Sequence, residues 1–138
     1  MILKLKGVAS ILLILSMTLP LSRCNQTDSS GKQFDPPRYT YQYALSDFKI
    51  NDIGNWLLVI AFIWPLGSFL YQRTKNISRK WFFVLEIILC VGSGYFIYYA
   101  ATLFGQIWIG GWIALFSITT YFILSIISFW ASLTRRSS

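Results

Sequence analysis

Three long apolar stretches, at residues 54–72, 81–104 and 108–133, dominate this 138-residue chain and limit what it can become. Each is close to the roughly 20 residues a helix needs to cross about 30 Å of hydrocarbon. Backbone polar groups have no water to bond in lipid and must be satisfied within the segment, so each stretch is predicted to be helical. Only 12% of the residues are charged, against roughly 25% in an average soluble domain. That is too few to cover the surface of a water-soluble fold. The expected fold class is an all-α membrane protein in which three transmembrane helices follow an N-terminal signal peptide or signal anchor. Residues 105–110 are short enough to make the second and third spans a tight antiparallel hairpin.

The net charge of +7 is placed at the edges of the apolar stretches. Lys4 and Lys6 precede the first apolar run, and Arg73, Lys75, Arg79 and Lys80 separate two spans. Arg135 and Arg136 follow the last. Basic residues gathered at the ends of spans are the mark of the positive-inside bias and argue against a nucleic-acid partner. They predict a multi-pass protein of a bacterial cytoplasmic (inner) membrane, with residues 25–52 outside and the C-terminus in the cytoplasm.

The N-terminus carries the two lysines and then an apolar run over residues 7–21, the length of a signal-peptide core. Pro20 stops a helix there. The tetrad Leu21-Ser22-Arg23-Cys24 resembles the lipobox of bacterial lipoproteins, an aliphatic residue and a small one ahead of the cysteine to be lipidated. The resemblance covers the first 24 residues and implies lipidation of Cys24. Arg23 departs from the pattern, which has Gly, Ala or Ser before the cysteine. Cleavage elsewhere and retention as a signal anchor are the alternatives for residues 1–23.

Residues 24–53 form a polar extracytoplasmic segment. Its opening, around residues 25–32, reads as a flexible tether. Tyr39, Tyr41 and Tyr43 alternate with polar residues at a strand-like period. One strand alone is not stable, so an extended segment on the membrane surface is expected, entering the first span through Asp52 as a helix cap. With Phe48, these tyrosines make a candidate contact surface, since aromatic side chains dominate contact energies.

Glu86 is the one acid inside the spans, and an intramembrane acid is by default a functional candidate. It leads a face with Cys90, Ser93, Gly94 and Ala101, small residues that let helices pack closely. The plainer reading has Glu86 reaching out from a shallow position toward Lys80 or Arg79. The third span presents Ala114, Ser117, Tyr121, Ser125, Ser128 and Ser132 on one face. Ser125 and Ser128 are expected to lie level with Glu86 and to hydrogen-bond it. Pro65, within the first span, predicts a kink.

The chain has no histidine and only two cysteines, Cys24 and Cys90, so no metal or cofactor site is expected. No paired groups suggest acid–base or nucleophilic catalysis. The sequence therefore predicts a small integral protein of the bacterial envelope, an accessory or structural subunit without catalytic activity. Its partners would be the lipid bilayer and another membrane or envelope protein, or itself. The alternative is an oligomeric channel or transporter component using Glu86 and the serine stripe.

Overall fold

The computed structural model describes residues 1–45, 49–75, 80–103 and 105–134. Within them the chain forms helix α1 (Ile2–Ser16), strands β1 (Pro20–Asn25) and β2 (Tyr39–Tyr43), and helices α2 (Ile53–Lys75) and α3 (Lys80–Thr102). Strand β3 (Gln106–Ile107) and helix α4 (Ile109–Thr134) complete it. The protein is mostly helical, and α2, α3 and α4 are each long and apolar enough to span a membrane. At 1.5 Å per residue they measure about 35 to 39 Å. Their outward faces carry Ile60, Ile88, Val91, Phe116 and Ile123, all exposed, as lipid-facing positions must be apolar.

The helix α2 starts where its cap dictates: the Asp52 carboxylate accepts the Gly54 N–H at 2.9 Å. The helix then runs through Pro65, which is buried within it. Helix α4 is the centre of the bundle, packing against both α3 and α1, while α1 also packs against α2. Leu13 of α1, Phe62 of α2, Ile97 of α3 and Ala114, Ile118 and Tyr121 of α4 meet in one apolar core. Close approach of the helices follows from small residues on the buried faces, Ala9 and Ser10 on α1 and Ala114 and Ser117 on α4.

The N-terminal run is thus a 15-residue helix seated in a groove of the bundle. Its length is about 22 Å. It enters beside the C-terminal end of α2 and the first turns of α3. It leaves at the start of α4, where residues 19–21 lie against Gly110 and Gly111.

The extracytoplasmic-segment expectation needs two corrections. The tyrosine run does not lie alone: β2 pairs antiparallel with β1, and β1 pairs on its other edge with β3, giving the order β2-β1-β3. The partner strand comes from residues 20–25, the stretch that resembles a processing region, with Pro20 at its first position, where a missing N–H is tolerated. Nor is the opening of the polar segment a loose tether. Thr27 and Gln33 form a bridge around a turn in which the Asp28 carboxylate accepts from Ser30 and Lys32. Those bonds, the Ser30 side chain first, hold the Asp28 carboxyl below the usual carboxylate range. The connection between α3 and α4 contains β3, so it is tied into the same sheet.

The sheet docks on α4 through two glycines. A Cβ on Gly111 would lie 2.5 Å from the Leu21 carbonyl oxygen, and one on Gly110 would lie 2.8 Å from the carbonyls of Leu19 and Pro20. These neighbours are backbone and cannot swing aside. Gly67, by contrast, faces open space. Gly111→Ala should therefore lower the thermal stability of the detergent-purified protein by about 1–3 kcal/mol, the usual result of overpacking. Gly67→Ala should be neutral or stabilising by up to about 1 kcal/mol through helix propensity. Equal melting temperatures for the two variants would contradict this docking.

Candidate functional site

Glu86 sits six residues into α3, about 9 Å along the axis from its start. The buried face of α3 is Phe83, Glu86, Cys90, Ser93, Ile97 and Ala101, a three-and-four spacing that turns the carboxylate inward. The residue is 2% exposed. It does not reach outward to Lys80, and Arg79 is outside the described residues. Its cation is Lys6 of α1, itself 1% exposed, whose ammonium lies 2.7 Å from Glu86 Oε2.

Every helix contributes to this cluster. From α2, the Ser68 hydroxyl and the Gln72 amide both donate to Glu86 Oε1. From α4, Tyr121 donates its hydroxyl to the same oxygen at 2.8 Å, and the Ser125 hydroxyl lies 3.4 Å from Oε2. Gln72 has its carbonyl oxygen 3.5 Å from Lys6 Nζ, so one amide faces both charges with complementary ends. The Lys6 ammonium also lies 5.3 Å from the Phe83 ring centre and 5.2 Å from that of Tyr121. Aromatic faces attract a cation most where water is absent. Above this layer Trp64 donates to Ser93 at 2.7 Å and meets the Tyr121 ring edge-on at 5.7 Å. Those contacts bind α2, α3 and α4 together.

The expected serine pair is divided. Ser125 is buried and faces Glu86, whereas Ser128 is partly buried and returns its hydroxyl to the Leu124 carbonyl at 2.7 Å. Three residues separate them, about 4.5 Å along the helix, and Tyr121 on the other side of Ser125 has the longer reach. Ser117 continues the face, buried and with no hydrogen-bond partner among the described residues. Lys6, Ser68 and Gln72 join the cluster without having been expected in it. The Ser68–Gln72 spacing of four on one helix face was a legible sign, and a lysine four residues into an apolar helix was another.

The remaining candidates lie at the opposite end. Tyr39, Tyr41 and Tyr43 line β2 and are each roughly 40% exposed. The Tyr41 ring is 6.1 Å from that of Trp108. Arg23 lies 4.0 Å from the Trp108 ring centre and 4.9 Å from that of Tyr39, with its guanidinium also donating to the Gln106 side chain. The residue that breaks the lipobox pattern is therefore the one that fastens β1 to its neighbours. Cys24 is exposed on β1, opposite Thr40 of β2. Phe48 is outside the described residues. No group of three or more potential metal ligands occurs among the described residues.

Comparison with protein-family models, with curated proteins and with solved structures finds no match to this chain.

The geometry separates the members of the cluster by their expected effect. Tyr121→Phe removes a buried hydrogen bond to a charge and should destabilise the purified protein by about 1.5–3 kcal/mol. Ser128→Ala leaves the network intact and should stay within about 0.5 kcal/mol of wild type. Unfolding in detergent, followed by tryptophan fluorescence, distinguishes them; a larger effect at Ser128 would place the carboxylate's partners wrongly.

Proposed function

We propose that this chain is a non-catalytic interaction subunit of the bacterial cytoplasmic membrane, a four-helix unit that presents a small aromatic sheet on the extracytoplasmic side. The observation that carries the reading is the edge position of β2. Its one strand partner among the described residues is β1, and its three tyrosines are half exposed. The aromatic side chains of a strand at the end of the sheet order offer contact area to a partner.

The topology supports the orientation. The start of α1, the end of α2, the start of α3 and the end of α4 share one end of the bundle, and Lys4, Arg73, Lys75 and Lys80 gather there. Basic residues favour the cytoplasmic side, which leaves the sheet outside. The seating of α1 supports its retention as a signal anchor. Cleavage ahead of Cys24 would take Lys6 from Glu86 and strand a carboxylate among apolar helices, which is strongly unfavourable.

The same cluster weighs against a transport path through Glu86. A carboxylate offers about four lone-pair sites, and five side chains already approach this one. No acceptor site is left over for a passing ion, and the arrangement reads as a lock between helices.

Replacing Tyr39, Tyr41, Tyr43 and Phe48 together by Ser should strip co-purifying envelope partners from the detergent-extracted protein. Retention of every partner by a folded variant would rule the surface out.

A further inference from the structure

At the sheet end, remote from the Lys6–Glu86 layer, a cavity of about 400 Å³ lies between the first turns of α2, the last turns of α3 and the end of β2. That volume falls in the lower part of the ~300–1,000 Å³ range of small-molecule sites. Its lining is graded along the bundle axis. Lys49 and Asp52 stand at the mouth, ahead of the first residue of α2. Leu58, Phe96, Ala100 and Leu103 form the wall at the depth of the helices. The polar mouth is held in place by its own backbone. The Lys49 carbonyl accepts from the Asp52 N–H at 3.1 Å and from the Asn55 side chain at 3.3 Å. The Asp52 carboxylate is fixed by the Gly54 N–H. The Lys49 side chain is exposed, and its ammonium has no ion-pair partner among the described residues.

An apolar recess between helices of spanning length suits an acyl chain, and the charged residues in its lining select the headgroup. One cation and one carboxylate, three residues apart, complement the phosphate and the ammonium of a zwitterionic headgroup. An anionic headgroup would meet the Asp52 charge without an ammonium to offset it. We propose that the cavity binds one phospholipid with a phosphoethanolamine headgroup from the leaflet on the sheet side. Its phosphate lies on Lys49, its ammonium on Asp52, and one acyl chain lies along Leu58, Phe96, Ala100 and Leu103. The site borders the end of β2, where Gln42 and Tyr43 line it, and is separate from the ion pair, which lies at the other end of the bundle.

The test uses the full chain in nanodiscs containing phosphatidylethanolamine with a photoactivatable acyl chain, followed by peptide mapping. Labelling should concentrate on residues 96–103 and on the start of α2. Lys49→Glu should lower it by about tenfold, the weight of one charge-assisted contact, and Ala100→Trp should remove it by filling the recess. Phosphatidylglycerol carrying the same chain should label the site more weakly. Because the wild-type map stands alone, a variant that fails to fold does not decide the matter. Labelling spread evenly over the lipid-facing side of α4, around Phe116, would overturn the proposal, as would equal labelling by the two lipids. A folded Lys49→Glu protein that labels like wild type would do the same.

Discussion

A carboxylate cannot remain charged among apolar helices without a partner, and the architecture of this chain is arranged around that constraint. Glu86 is buried between the helices, and its charge is met inside the bundle by Lys6. Each ion alone would carry a desolvation penalty of several kcal/mol. Together, with Ser68, Gln72, Tyr121 and Ser125 supplying further hydrogen bonds, they make a closed set that draws on all four helices. The net stability of a buried pair of this kind is small, because desolvation offsets the attraction between the charges. Only one register of α1 against α2, α3 and α4 brings the lysine to the acid, so the pair selects a single packing among several apolar alternatives.

That registration reaches the far end of the molecule. With Lys6 fixed at one end of α1, residues 19–21 arrive where Gly110 and Gly111 leave room for a backbone to touch a backbone. The chain can then continue as β1, between β2 and β3. Trp108 donates its N–H to the Leu21 carbonyl at 2.8 Å, joining the strand to the start of α4. The aromatic surface on β2 thus depends on a helix whose placement is set by one ion pair some 20 Å away, a distance that follows from about 1.5 Å of rise per residue. The proposed contact surface at one end and the ion pair at the other are parts of a single arrangement.

Much of this was legible in the sequence, and the parts that were not share a cause. The three spanning helices follow from apolar length alone, because hydrocarbon leaves the backbone no other solution. The inward turn of Glu86 was visible in the spacing to Cys90 and Ser93. Its partner was hidden because Lys6 sits in a basic, then apolar, N-terminal run, a pattern shared by signal peptides and by helices that stay. Residue pattern reports local chemistry, and the Lys6–Glu86 contact spans 80 positions. Strand β1 was obscured in the same way: Arg23 looked like a flaw in a lipobox, and its stacking on Trp108 and Tyr39 appears only when residues 23, 39 and 108 are brought together. Ser128 was drawn into the site by periodicity, which gives the face of a helix but not the depth at which a neighbouring side chain arrives.

The dependence of the fold on the ion pair is tested most directly by a double-mutant cycle on Lys6 and Glu86, read as unfolding free energy of the protein purified from membranes. Lys6→Met and Glu86→Leu should each destabilise by about 3–5 kcal/mol, since each leaves the opposite charge buried alone. The double variant, with both charges gone, should recover most of that loss, giving a coupling energy well above about 1 kcal/mol. Additive effects would show that the two residues do not meet. A Lys6→Met protein as stable as wild type would show that α1 is not part of the folded unit, and would contradict the claim that one ion pair sets the packing of the bundle.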